Sequence, residues 1–446
     1  MKWAALALGC LSACGGEVGT IEVTLVTAPG SDLFERIESA RATLSDPPTV
    51  VEAERDDDGD LRLDLELTAE NGTALVVVEG FDGAGERIAL GRSAPLPVSA
   101  VNAEVALYLA PPLSLAEAPV GLEPARSEIG AALLPYGAIF FGGREAGGEV
   151  VSDAVIYNVY DHALQIGMPM PEARAAVTVV AGEGDLVYLF GGLEQDGDAS
   201  ADGWSFNTSV APDGAYAQLT SDGELARAGA SGVLVGADVF LVTGAPAVQL
   251  NGPTGQVTAW PDAPPLADGA AARLVGDESV ILVAGSGVGE NGAVIHAGGA
   301  YSELEAPPEA RRTGHAVVAL PDGRGLILGG SLDPAEPART AVIYDQDGGD
   351  FALEADFLAT GRTQAAVAAS ATHVLVAGGT DATGAVIGDA ELFDATSLEP
   401  VATLPLVAPR RGASALVLAN GQILIAGGVD ADGAPVGVLE LFTPDE

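Results

Sequence analysis

Only two cysteines occur in the 446 residues, Cys10 and Cys14, both at the very start. Beyond them the chain has no thiol for a disulfide, a metal site or a nucleophile. Lysine is absent except for Lys2, and 63 acidic residues face 19 basic ones, a net charge of −44. That polarity disfavours nucleic acid and anionic membrane surfaces as partners. Four histidines are scattered singly, with no pair at metal-ligand spacing. No run approaches the ~18 uncharged apolar residues of a spanning helix. Neither a G-x-S-x-G elbow nor an H-E-x-x-H motif is present. Gly287-Val-Gly289-Glu-Asn-Gly292 has the dinucleotide-binding spacing, but Ala293-Val-Ile-His296 after it reads as a strand. No helix N-terminus would then receive a pyrophosphate. Asp56-Asp57-Asp58-Gly59-Asp60 invites a calcium reading. Placing Gly59 sixth in such a loop puts Leu65 where a bidentate acid belongs, so solvated hairpin tips fit better. No metal and no cofactor is implied.

What the chain has is a repeat. Glycine pairs stand at Gly142-Gly143, Gly191-Gly192, Gly329-Gly330, Gly378-Gly379 and Gly427-Gly428, with worn copies at Thr243-Gly244-Ala245 and Ala284-Gly285-Ser286. From 142, 191, 244, 285, 329, 378 and 427 the steps are 49, 53, 41, 44, 49 and 49. An unbroken apolar run precedes each, as at 374–377 and 423–426, which suits a strand covered on both faces. The glycines fall where φ turns positive or a Cβ would clash. An aromatic follows the first glycine by 15 residues in five copies: Tyr157, Phe206, Tyr344, Phe393 and Phe442. An arginine precedes it by 16 or 17: Arg126, Arg174, Arg227, Arg312, Arg362 and Arg411. The fourth copy has Asp268 in the arginine's place, and the third offers Leu250 for the aromatic. A period near ~50 residues holding several short strands marks a propeller blade.

This pattern resembles the kelch repeat and the kelch-like central domain of galactose oxidase, over roughly residues 112–446. The resemblance implies an all-β, seven-bladed kelch-like β-propeller. A fourth-strand tryptophan usual in the family is mostly missing, Trp260 being the best match. The chain ends straight after its last third strand. Residues 113–118, which precede Arg126 as 398–404 precede Arg411, are expected to complete the last blade and leave only short edges. Copper chemistry of the galactose oxidase kind needs a cysteine–tyrosine crosslink, which this chain cannot build.

Ahead of the repeats, residues 1–14 resemble a bacterial lipoprotein signal: Lys2, a short apolar stretch, then Leu11-Ser12-Ala13-Cys14, with lipid expected on Cys14. An ordinary signal peptide is the alternative. Between signal and repeats, strands are expected at 21–26, 40–44, 50–53, 61–67, 73–79, 88–91 and 101–109, with turns such as Asp58-Gly59, Asn71-Gly72 and Asp82-Gly83. Seven short strands over 18–111 suit a small β-sandwich, immunoglobulin-like or transthyretin-like.

The family resemblance places the six arginines at one mouth of the central channel, where guanidinium forks would meet an acidic ligand. The competing reading is that each pairs with a neighbouring blade's acid and pins the blades together, which repetition in nearly every unit favours. His296 stands where other copies carry their aromatic and is expected to pack; His315 falls in an inner strand, His162 and His373 in turns. The functional expectation is a non-catalytic binding or scaffolding protein, lipid-anchored outside the cytoplasm, in the outer membrane of a Gram-negative bacterium. Its partner would be a protein, peptide or glycan met by propeller loops. The alternative is a carbohydrate-active enzyme of the sugar oxidase or isomerase kind. A fold hosts many activities, so only the site can decide.

Overall fold

The computed structural model describes residues 4–6, 21–45, 48–56, 73–97, 103–259, 265–276, 280–333 and 336–445. Cys10, Cys14, the 57–60 acidic cluster, the strand expected at 61–67 and Trp260 lie outside the described residues. The described chain is nearly all β and of β-propeller type, built largely of four-stranded antiparallel sheets.

Seven such sheets follow residue 112, six of four strands and one, the fifth, with a short extra strand. Sheet I is a meander of Gly130–Leu134, Gly137–Phe141, Ala154–Asn158 and Ala163–Gly167. The innermost strands of sheets II to VI are Thr178–Ala181, Gly232–Gly236, Ala270–Arg273, Thr313–Ala319 and Ala366–Ala369. Sheet VII runs Ser414–Val417, Ile423–Ala426, Glu440–Thr443, and takes its fourth strand, Ser114–Glu117, from the other end of the repeat region, with Leu115 opposite Phe442. Each innermost strand runs beside the next, and Ser414–Val417 lies beside Gly130–Leu134.

The apolar runs form the second strands and are buried along most of their length, completely so at Gly137–Phe141 and Ile423–Ala426. Outer strands such as Asp350–Glu354 face solvent. Cores lie between successive sheets: Ile139, Phe141 and Leu134 of sheet I pack on Val187, Leu189 and Phe206 of sheet II. Leu424, Ala426 and Leu441 of sheet VII pack on Ala138, Phe140 and Tyr157 of sheet I.

The glycine pairs explain themselves geometrically. At Gly378, with φ +62°, a Cβ would sit 2.2 Å from the carbonyl oxygen of Arg410 in the next sheet. The following Gly379 N–H donates to that same carbonyl at 2.9 Å. Gly143 to Arg174, Gly192 to Arg227 and Gly330 to Arg362 repeat the bond at 2.9, 2.8 and 2.8 Å. The two sequence signals, glycine pair and arginine, therefore meet across these four junctions.

Nearer the N-terminus, Thr49–Glu54, Ser39–Leu44, Val76–Phe81 and Arg87–Arg92 form one sheet, and Ala4–Leu6, Ile21–Val26 and Ala103–Tyr108 another. Alternate burial along Ser39–Leu44 and Val76–Phe81 gives one inward face. It packs on Val23, Leu25, Val105 and Leu107. These sheets touch the repeat region through Tyr160: its carbonyl accepts from Ala106 N–H at 2.6 Å and its hydroxyl donates to the Pro95 carbonyl at 2.8 Å.

Candidate binding face

Each repeated arginine enters its sheet just before the innermost strand, and its guanidinium turns back under the sheet's own loop. Arg362 Nη1 donates to the Gly378 and Asp389 carbonyls, both at 3.2 Å, and Nη2 to Glu391 at 2.6 Å. Glu391 also accepts from the N–H groups of Ala359 and Thr360. Sheet VII repeats this with Arg410: Nη1 reaches the carbonyls of Gly427 and Val438 at 3.2 and 2.8 Å, and Nη2 reaches Glu440 at 2.6 Å. Arg312 holds the Gly329 and Thr340 carbonyls at 2.9 and 3.0 Å, and Arg174 the Gly191 and Asp202 carbonyls at 3.3 and 2.9 Å. Arg126 reaches Gly142 O at 3.3 Å, and Arg227 reaches Thr243 O and Pro246 O at 2.8 and 3.1 Å.

These placements correct the sequence reading in three ways. First, Arg126, Arg174, Arg312 and Arg362 are 2% exposed or less, so they tie their own sheets together and offer no open fork to a ligand. The pairing is within a sheet; the link to the neighbouring sheet is made by backbone. Burial lowers the affinity of Arg312 for its proton, to a pKa of about 10. Second, the buried arginine of sheet VII is Arg410, not Arg411. Both satisfy the 16-or-17 spacing, so spacing alone could not choose between them. Third, in sheet IV the arginine's place belongs to Leu266. Leu266 and Ala267 pair with Val288 and Gly287 as Arg126 and Ser127 pair with Glu145 and Arg144, and Leu266 is fully buried. Asp268 instead matches Glu128, two residues on.

That later position forms the rim of the face. Glu128, Ala176, Gly229, Asp268, Gly314, Gln364 and Gly412 all have φ between +50° and +67°. Ala176 N–H donates to Glu128 O, Gly229 to Ala176, Gln364 to Gly314 and Gly412 to Gln364, at 2.7 to 3.0 Å. Nothing in the one-letter pattern announced this chain of linked left-handed residues, because Glu, Ala, Asp and Gln share no composition with glycine. Glu391 and Glu440, each thirteen residues after a first glycine, could have been found by the same counting that found the aromatics.

Two clefts open beside the rim. One, of about 490 Å³, is lined by Thr313, Ser331, Thr363, Gln364, Thr380 and Arg411 among others. The other, of about 500 Å³, is lined by Arg227, Ser231, Thr243, Asp268 and His315, and shares Thr313 and Gly314 with the first. Of the six expected ligand arginines, Arg227 and Arg411 thus reach a cleft. Arg227 is committed to backbone carbonyls. Arg411 makes one long bond, 3.3 Å to Gln364 Oε1, and keeps the remainder of its fork. In each lining one residue carries a polar atom without a partner that is closed to solvent: Thr380 Oγ1 in the first and His315 Nδ1 in the second. His315 Nε2 lies 2.9 Å from the Ala284 carbonyl, so that nitrogen carries the proton, and burial pushes the pKa down to about 4. The ring is neutral at physiological pH.

The other histidines sit elsewhere. His296 is buried against Tyr301, and His162 is buried with Nδ1 2.6 Å from the Tyr157 hydroxyl. His373 lies beside Thr372 and Phe442. The strand expected after Gly292 is present as Ala293–Ala297. Acidic hairpin tips at Asp381 and Asp430 bond their own loop N–H groups. Among the described residues, no three His, Cys, Asp or Glu side chains are grouped for a metal ion.

No family model matches the chain, and no curated protein does. Among solved structures it is similar to the structure of YjhT, at 14% identity over 73% of this chain and 96% of that one, with a TM-score of 0.48.

Proposed function

We propose that the seven sheets are blades of a closed kelch-like propeller, and that the protein is a non-catalytic binder using the face on which the two clefts open. The pairing of Ser114–Glu117 with Glu440–Thr443 supports closure, since it joins the first strand of the repeat region to its last. The lining of the clefts carries the binding reading. Hydroxyls, an amide and one lightly engaged guanidinium can hold a polar ligand in many orientations. Acid–base chemistry on sugars would call on Asp268 and His315, but the His315 ring is neutral and fixed on a carbonyl. A carbohydrate-active enzyme therefore remains the second reading, on the nearness of those two residues in one lining. The full-length protein, probed on arrays of peptides and glycans with product analysis of every hit, tests this. Capture without turnover, reduced by Arg411→Gln, is expected. Turnover of a bound sugar would replace the reading with the enzyme.

The same proposal places the protein outside the cytoplasm, held by lipid on Cys14 in the outer membrane of a Gram-negative bacterium. Among the described residues, no helix is long and apolar enough to cross a membrane. The net charge of −44 would keep the body away from anionic headgroups, so an anchor of its own is useful. Cys14→Ser should move the protein from the detergent phase to the aqueous phase in a Triton X-114 partition. Unchanged partitioning would remove the anchor.

A further inference from the structure

The two clefts share Thr313 and Gly314 at their border. Gly314 has φ +61° and no side chain, and a Cβ there would stand 2.3 Å from Thr363 Oγ1. No side chain rises at that position between them. Their combined lining crosses from sheet III to sheet VII over the rim. At one end Arg411 holds a guanidinium with a single 3.3 Å bond. Toward the other end Asp268 is exposed and carries a free carboxylate; its cleft-mate Arg227 is already bound to three carbonyls, those of Thr243, Pro246 and Glu224. Between them stand Thr313, Thr363, Thr380 and Gln364, with Thr243 and Ser231 beyond Asp268, and all of these both donate and accept. Neither lining contains a Phe, Tyr or Trp ring on which the apolar face of a sugar could stack.

Resting on the reading of this face as a binding site, we infer that the clefts form one trench for a short extended peptide with a carboxylate at Arg411 and a cationic group at Asp268. An extended chain offers alternate N–H and C=O groups along its length, which side chains that donate and accept can meet in either order. The carboxylate suits the fork geometry of arginine. The opposite charges at the two ends fix the direction in which the peptide lies.

The test is calorimetric titration of the full-length protein with blocked peptides of the form Lys-(Ala)n-Glu, with n from 0 to 5, in both charge orders. A matched series carries Gln for Lys, and a second series is oligogalacturonate of one to six units. Affinity should rise at least tenfold with length and then level off, in one charge order only. Asp268→Asn, which Asn tolerates at positive φ, should weaken the lysine peptides about tenfold and leave the glutamine peptides unchanged. Arg411→Gln should weaken both. Thermal unfolding of each variant shows that the fold is kept. Affinity independent of length, or an Asp268→Asn effect equal on both peptide series, would overturn the trench. Binding of oligogalacturonate in place of the peptides would keep the binding face and overturn its peptide assignment. Silence of both series would overturn the proposal together with the binding reading beneath it.

Discussion

Glu440 is fully buried and accepts from Val407 N–H, Ala408 N–H and the Arg410 guanidinium. Removing one member of such a pair strands the other charge away from water, a loss of about 3–5 kcal/mol. Glu440→Ala should therefore lower unfolding stability in urea by about that amount. Arg411→Ala, one residue from Glu440's partner, should change it by less than about 0.5 kcal/mol because its side chain stands in the cleft. Equal effects at 440 and 411 would contradict the assignment of roles. A second residue-scale expectation concerns pH. Burial drives the pKa of His162 down to about 3 and that of His315 down to about 4, both below the ordinary 6.5. A base whose folded pKa is depressed contributes its full stability above pH 6.5 and loses it as pH falls toward the folded value. Between pH 6.5 and about 4 the fully buried His162 should alone weaken the fold by up to about 1.4 kcal/mol per pH unit. His162→Phe should flatten the fall of the melting temperature over that window, and an unchanged slope would locate the acid sensitivity elsewhere.

At the scale of the element, the glycine pairs do two jobs at one junction. They turn at positive φ, and they admit the next sheet's carbonyl. Gly378→Ala should cost at least about 2 kcal/mol, because the added carbon meets the Arg410 carbonyl as well as a strained φ. Gly433→Asn, at φ +79° with open space around it, should cost under about 1 kcal/mol. Equilibrium unfolding of the two variants checks the contrast. These junctions were legible because they demand a residue type: only glycine fits, and an apolar run must lead into it. The arginine was legible as a position but not as a role. Its spacing of 16 or 17 let Arg411 stand for Arg410, and Asp268 stand for Leu266. What resolves both is strand register, which a count along the chain does not contain. The clefts were illegible for a different reason. Thr313, Thr363 and Arg411 belong to three sheets and fall into one lining only when the sheets are set side by side.

At the scale of the whole molecule, Ser114–Glu117 pairs with a strand more than 320 residues later. A proline in an outer strand removes a ladder hydrogen bond or distorts its edge. Ala402→Pro, in the outer strand of sheet VI, should loosen that sheet alone. Ala116→Pro should lower the urea midpoint further, because it weakens the pairing that joins the two ends of the repeat region. If the two variants melt alike, that pairing contributes nothing beyond its own sheet.

The joint between sheets III and IV is unlike its fellows. At four other joints a glycine N–H, and between sheets IV and V the Ser286 N–H, donates forward to an arginine carbonyl; here Leu266 N–H donates backward to Gly244 O at 2.9 Å, and Leu266 leaves sheet IV without a guanidinium under its own loop. A row of sheets gives way first at the joint that lacks the forward bond. Deuterium should enter the amides of Gly232–Gly236 and Ala270–Arg273 sooner than those of Ala366–Ala369, and a protease supplied in excess should make its first cut on that side.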